Sequence, residues 1–302
     1  MCAMRGIEVC ALIGRGCFLN QLHRQLQREV TKFSVAKMST AQLFTGEKQT
    51  DLYAKFRPVY SDEVFETIKE FCAETSSSFD TAVDLGCGSG QSTLPLTKYF
   101  RKVVGMDVSE QQIARAPTDV SNLSFRVSRA EDLSAYENGS LDLVTIAQAF
   151  HWVDQSKFFK EVERTVKPGG SLVVYGYGLW ELSHQKVFQY FYHIYGEVLG
   201  PYWVGGRKMV EEKYRTVSLP YPGWRRDDSL SLVKEVGLED LIGYMGSWSA
   251  YHKYNMAHPG NNLVGEVRAR MQELAGVSEN EASEFKTRIS WPVFMLMAHL
   301  PS

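Results

Sequence analysis

Five short runs rich in Val, Ile, Leu and Ala recur beyond residue 80, each separated from the next by a stretch long enough for a helix or a turn. Runs such as VVGMD (103–107), LDLVTIA (141–147) and SLVVYGYG (171–178) are nearly continuous in apolar residues instead of alternating with polar ones. That pattern belongs to parallel strands covered on both faces by helices. Strands are therefore expected at 81–85, 102–107, 123–128, 141–147 and 171–177, with helices at about 61–73, 91–99, 110–116 and 155–166. Asp154 is placed to cap the last helix, and KPGG (167–170) reads as the turn that ends it. A strand near 229–236, helices near 238–254 and 262–274 and a last strand near 287–298 complete the pattern. The expected fold is α/β: a Rossmann-like, seven-stranded, mostly parallel sheet with helices on both faces and a lid or insertion after the fifth strand, at about 179–228.

Composition narrows the class. With 302 residues, 44% of them hydrophobic and 23% charged, the chain can form one such domain with its insertion, and no run approaches the roughly 18 apolar residues that a membrane span needs. A formal net charge of −2 provides no general attraction for nucleic acid. Cys2, Cys10 and Cys17 lie at the start, while Cys72 and Cys87 stand alone without CxxC spacing; His184 and His193 are too far apart for one helix face. A reducing compartment and no metal are expected. The first 38 residues hold six Lys or Arg against two acids, which leaves a net of −6 for the remainder. They read either as a mitochondrial transit peptide or as an extension before an internal start at Met38. The domain itself is set at 39–302, and the expected localisation is cytoplasmic, or mitochondrial if 1–38 is a transit peptide.

In open α/β sheets ligands bind beyond the carboxyl ends of the strands, and the distinctive residues of this chain fall there. After TAVDL comes Gly86-Cys87-Gly88-Ser89-Gly90, where missing side chains allow a tight turn and a close ligand. The spacing is GxGxG, whereas a dinucleotide fingerprint would be GxGxxG. Asp107 ends the second strand, where a carboxylate can accept hydrogen bonds from both hydroxyls of a ribose; capping a helix is its competing role. Ser128 to Asp132 follow the third strand, and Gln148-Ala149-Phe150-His151-Trp152 follow the fourth.

The ordered set AVDLGCGSG, VVGMDVS, SRAEDL, IAQAFHW and VKPGG, spanning about 80–178, resembles the class I S-adenosylmethionine-dependent methyltransferases. The resemblance implies S-adenosyl-L-methionine as cofactor and S-adenosyl-L-homocysteine as product. By motif it assigns the cofactor to Asp84, Gly86, Gly88, Gly90, Asp107, Val108, Ala130, Glu131 and Gln148, with Asp84 toward the methionine ammonium, Asp107 on the ribose and Ala130 and Glu131 at the adenine. A narrower likeness lies in YAKFRPVY (53–60) with SWSAY (247–251), which is similar to small-molecule methyltransferases related to trans-aconitate methyltransferase. It implies a cofactor cover at 44–75 that includes Tyr53 and Arg57. Ser61 stands where that pattern has proline.

The implied reaction is methyl transfer to a small molecule, with a carboxylate as the expected acceptor. Arg57 can clamp a carboxylate, either the cofactor's or the substrate's. Trp152, Tyr177, Trp180, Trp248 and Tyr251 are the expected acceptor-side residues. His151 would position an ionised carboxylate, or serve as base for a hydroxyl or amine. The expected partners are a small-molecule acceptor and neither nucleic acid nor membrane, for a monomer or weak dimer. A noncatalytic S-adenosylmethionine-binding protein and a nicotinamide-dependent oxidoreductase are the alternatives.

Overall fold

The computed structural model describes residues 56–76, 78–203 and 205–301. The extension at 1–38, Tyr53 and the early part of the expected cover lie outside the described residues. Helix α1 (Asp62–Ala73) follows Ser61 and buries Val64, Phe65, Ile68, Phe71 and Cys72, a single apolar stripe at helical spacing. Five parallel strands follow: β1 (Thr81–Leu85), β2 (Lys102–Asp107), β3 (Leu123–Val127), β4 (Leu141–Ala147) and β5 (Val166–Tyr177). Their spatial order is β3-β2-β1-β4-β5. The order reverses between β1 and β4, so the chain departs in opposite directions beyond these two strands and leaves a crevice there.

Neighbouring residues along each strand feed different cores. Ala82, Leu143, Val173 and Tyr175 belong to one buried cluster, whereas Val83, Val144, Leu172 and Val174 belong to the other. Both faces are therefore apolar, which explains the unbroken Val/Ile/Leu runs. The edge strand β3, by contrast, mixes half-buried and exposed residues, and its polar side chains face solvent.

The sheet has nine strands, not seven. β9 (Thr287–His299) runs antiparallel to β5, and β6 (Glu181–Leu182), β7 (Arg225–Asp227) and β8 (Ser231–Val236) also pair with it. β6 continues the line of β5 along one edge of β9, and β8 continues β7 along the other, so nine strands make seven ribbons. The short β6 and β7 carry no period of their own and were invisible to patterning. Between β6 and β7 the insertion forms α4 (Gln185–His193), a π-helical turn (Ile194–Val198) and α5 (Arg207–Glu211).

Four other expectations change. KPGG is not a turn: it lies inside β5 as a bulge, with Leu141 paired to Val166 but Leu143 paired to Ser171. Gly169 has φ of +73°, and a Cβ on Gly170 would come within 3.1 Å of the Asp142 carbonyl oxygen, so glycine is required in this bulge. The helix expected at 91–99 is a 3-10 turn at Leu94–Lys98, and that at 110–116 shortens to α2 (Glu110–Ile113). The segment 238–254 divides into α6 (Leu238–Gly246) and α7 (Ser249–Ala257), because the chain turns at Ser247 to bury the Trp248 ring. The helix at the end of β4, α3 (Gln155–Thr165), is capped by Asp154 as expected, its side chain accepting from the Lys157 amide. Helix α8 (Leu263–Ala275) precedes β9. No helix among the described residues is long and apolar enough to cross a membrane.

At the bulge, Asp142 is buried and accepts from the backbone amides of Asp80 (3.1 Å) and Thr81 (2.8 Å) and from Lys167 Nζ (2.7 Å). It joins the start of β1 to β4 and β5. Asp142→Ala strands two amides and an ammonium, so urea unfolding should show a loss of about 3 kcal/mol relative to the wild type.

Candidate functional site

The crevice is organised from the end of β1. Asp84 is completely buried, and its carboxylate accepts from Ser92 Oγ (2.8 Å), Thr93 Oγ1 (2.7 Å) and Thr145 Oγ1 (2.8 Å). Burial raises its pKa against the opposing pull of these hydroxyls. Beyond it, Gly86 has φ of +64°, and a Cβ there would lie 2.4 Å from that of Ala149, so the loop after β1 lies directly against the Ala149 methyl group of the loop after β4. Asp107 then holds the loop in shape: one oxygen accepts from the Gly88 amide (2.9 Å) and the other from the Ser109 amide (2.8 Å). Its pKa is raised by burial, with these amides opposing.

Two clefts open at this end of the sheet. The first, about 900 Å³ including space open to solvent, is lined by Gly86, Gly88, Asp107, Val108, Ala130, Glu131, Gln148 and Trp152, among others. Seven of these are expected cofactor residues. Asp84 lines neither cleft and lies beneath the loop. Gly90 also points elsewhere: a Cβ on it would lie 2.6 Å from Phe125 Cζ, so it is the packing of β3 that demands glycine there. Glu131 frames the cleft while its carboxylate accepts from the Asp154 amide at the start of α3 (2.8 Å).

The second cleft, about 830 Å³ on the same measure, takes in Arg57, Gln148, His151, Trp152, Tyr177, Trp180 and Trp248 from the expected set. Arg57 thus belongs to this cleft and not to the first, with Nη2 3.4 Å from the Ser247 carbonyl oxygen and the guanidinium 5.6 Å from the Tyr244 ring centre. Tyr251 lies outside both clefts and packs its ring near His252. Gln148 and Trp152 line both clefts, which therefore meet at the end of β4. Gln148 is fixed there at φ of +53°, its Nε2 donating to the Tyr177 carbonyl (2.7 Å).

Pattern reading missed Tyr195, Arg207 and Tyr244. The Trp180 and Trp248 rings stack at 5.0 Å, and Tyr195 stands edge-on to both. Arg207, on the five-residue α5, spreads over Tyr195 and Trp203 at 4.5 and 5.3 Å and pairs with Glu211. Nothing local to KMVEE distinguishes this arginine from a solvated one. Among the described residues lining the second cleft there are two guanidinium groups and no carboxylate. His151 completes the wall, its Nδ1 2.7 Å from the Tyr214 hydroxyl. Burial lowers its pKa to about 4, so the imidazole is neutral at pH 7.

A family model described as the methyltransferase domain matches residues 83–174. A protein of Dictyostelium discoideum designated a methyltransferase is 32% identical over 249 residues, covering 82% of this chain and 91% of its own length. A Saccharomyces cerevisiae protein designated an S-adenosylmethionine-dependent methyltransferase is 22% identical over 273 residues, covering 80% and 92%. Among solved structures, one from Anaeromyxobacter dehalogenans described as a type II methyltransferase is similar with a TM-score of 0.69 and 28% identity, over 82% of this chain and all of its own.

Because His151 in the folded chain takes up its proton near pH 4 and an unfolded histidine near 6.5, the unfolded state binds more protons between those values. Stability therefore carries no cost from His151 above about pH 6.5 and is lost progressively as pH falls toward 4. Thermal melts should show a smaller drop in Tm between pH 7 and pH 4.5 for His151→Gln than for the wild type.

Proposed function

The chain belongs to the class I S-adenosylmethionine-dependent methyltransferases, and from that premise we propose that it methylates a small carboxylic acid held in the second cleft. The observation that carries this reading is the presence of both Arg57 and Arg207 in a cleft whose other described lining is largely aromatic and includes no acid. Guanidinium groups bind carboxylates in a planar fork, and the surrounding rings exclude water and accommodate the acceptor's apolar body. An amine or quaternary ammonium would suit the aromatic walls but would face the Arg57 guanidinium, and Arg207 with its charge shared with Glu211.

The first cleft fits the cofactor. A Cβ on Gly88 would meet nothing nearer than Gln112 Oε1 at 3.9 Å, so the missing side chain leaves a cradle beside the loop backbone. In this reading Gly86 and Gly88 let the donor approach the main chain, and Asp107, already holding two amides, has lone pairs left for ribose hydroxyls. Val108, Ala130 and Glu131 frame the adenine end. Asp84 acts through the loop, holding it from below, and Gly90 serves packing. When bound, S-adenosylmethionine supplies an electrophilic methyl group on a sulfonium.

Gln148 and Trp152 stand where the two clefts join, so they align donor and acceptor. Alignment and exclusion of water are the main sources of acceleration in a direct displacement. A carboxylate is ionised at neutral pH and needs no base, which agrees with a neutral His151 and a cleft wall without acids. The modest volume and the placement of Arg57, which belongs to the FRPVY segment, support the small-acid likeness drawn from the sequence.

Calorimetric titration should show S-adenosylhomocysteine binding and no binding of NAD, which separates a methyltransferase from an oxidoreductase. With a labelled methyl donor, a panel of small carboxylic acids and their amides should be methylated on the acids alone. Arg207→Gln should raise KM for the acid at least tenfold, about 1.4 kcal/mol, with S-adenosylhomocysteine affinity within twofold. Transfer confined to amines or phenols would refute the carboxylate reading, and cofactor binding without transfer to any acceptor class would favour a noncatalytic binder.

A further inference from the structure

Tyr214 lies 63 residues beyond His151, in the segment between α5 and β7, and has no place in the methyltransferase motifs. It is fully buried and sits at φ of +53°, a strained backbone for a large side chain. Its ring packs against Phe150 and Phe294, so the hydroxyl has apolar neighbours apart from His151. His151 Nδ1 approaches that hydroxyl at 2.7 Å.

We propose that Tyr214 is a positioning residue that locks His151 as the Nε2–H tautomer, so that the imidazole offers the second cleft a hydrogen-bond donor and not a base. The argument is one of proton accounting. A buried phenol must place its own hydrogen, and among the described residues His151 Nδ1 is the acceptor within reach. If Nδ1 carried the ring hydrogen, it would donate to the phenol oxygen and the phenol hydrogen would point into hydrocarbon. Nδ1 therefore accepts, and the ring hydrogen sits on Nε2.

The rest of the ring is held as well. A Cβ on Gly206 would lie 2.7 Å from His151 Cδ2, so the glycine closes that edge. Nε2 remains as the polar edge available to the cleft that His151 lines. The consequence for the reaction rests on that cleft being the acceptor site: an Nε2–H can hold a carboxylate oxygen while the other oxygen attacks, and it cannot remove a proton from a hydroxyl or amine.

The tautomer can be read without any acceptor. Long-range proton–nitrogen NMR spectra of protein labelled with 15N-histidine, with His151→Gln used for assignment, should show His151 as the Nε2–H form at pH 7. Tyr214→Phe should shift His151 toward a mixture of tautomers. In turnover, His151→Gln, whose amide nitrogen replaces the Nε2–H donor, should keep at least a tenth of wild-type kcat, whereas His151→Ala should lose at least a hundredfold. An Nδ1–H pattern in the wild type, or equal inactivation of the Gln and Ala variants, would overturn the assignment. The spectrum alone decides it if Tyr214→Phe does not fold. A correct tautomer with no acid methylated would leave the lock standing and refute only the acceptor class.

Discussion

Asp84 closes the seam between β1 and β4 from below. Its carboxylate is wholly removed from water, and three hydroxyls converge on it from two places: Ser92 and Thr93 after the glycine loop, and Thr145 on β4. Desolvation still dominates and raises its pKa. Asp142 does the same work at the other end of the seam, where it gathers the amides of Asp80 and Thr81 and Lys167. Between these two carboxylates the strands that flank the crevice are held in register, and the loops that emerge from them keep their spacing.

That spacing is what permits the site. Gly86 and Ala149 touch because the two strands are fixed, and Asp107 can reach the Gly88 amide because β2 lies beside β1. The first cleft is thus made mainly of backbone and short side chains from consecutive strand ends. The second is made largely of rings and guanidiniums from the segment before α1, the ends of β4 and β5, the insertion, α6 and the turn before α7. Gln148 and Trp152 belong to both, so the two clefts meet at the end of β4, the strand buried along its whole length. Rigid strands position the shared residues, while the insertion contributes only to the second cleft.

The strand bounds at 81–85, 102–107 and 141–147 were legible to the residue, because burial on both faces imposes an apolar run that ends where burial ends. The bulge at KPGG was misread as a turn, since glycine permits both and the choice depends on how β5 pairs with β4. The same ambiguity affected Gly90, which looks like its two neighbours in GxGxG but is required by Phe125 on another strand.

Local order in the chain therefore determined the fold class, the parallel core and the glycine, Asp107 and Gln148 positions of the first cleft, because these depend on short-range periods and on motifs read along one strand and its loop. Tertiary structure alone decided that Asp84 lies under the loop, that Arg57 and Arg207 come to the second cleft and that Tyr214 lies buried against His151. Arg57 reaches Ser247 across 190 residues and Tyr214 reaches His151 across 63. Contacts at that separation arise when whole elements pack, and no repeat in the sequence carries their partners' identity.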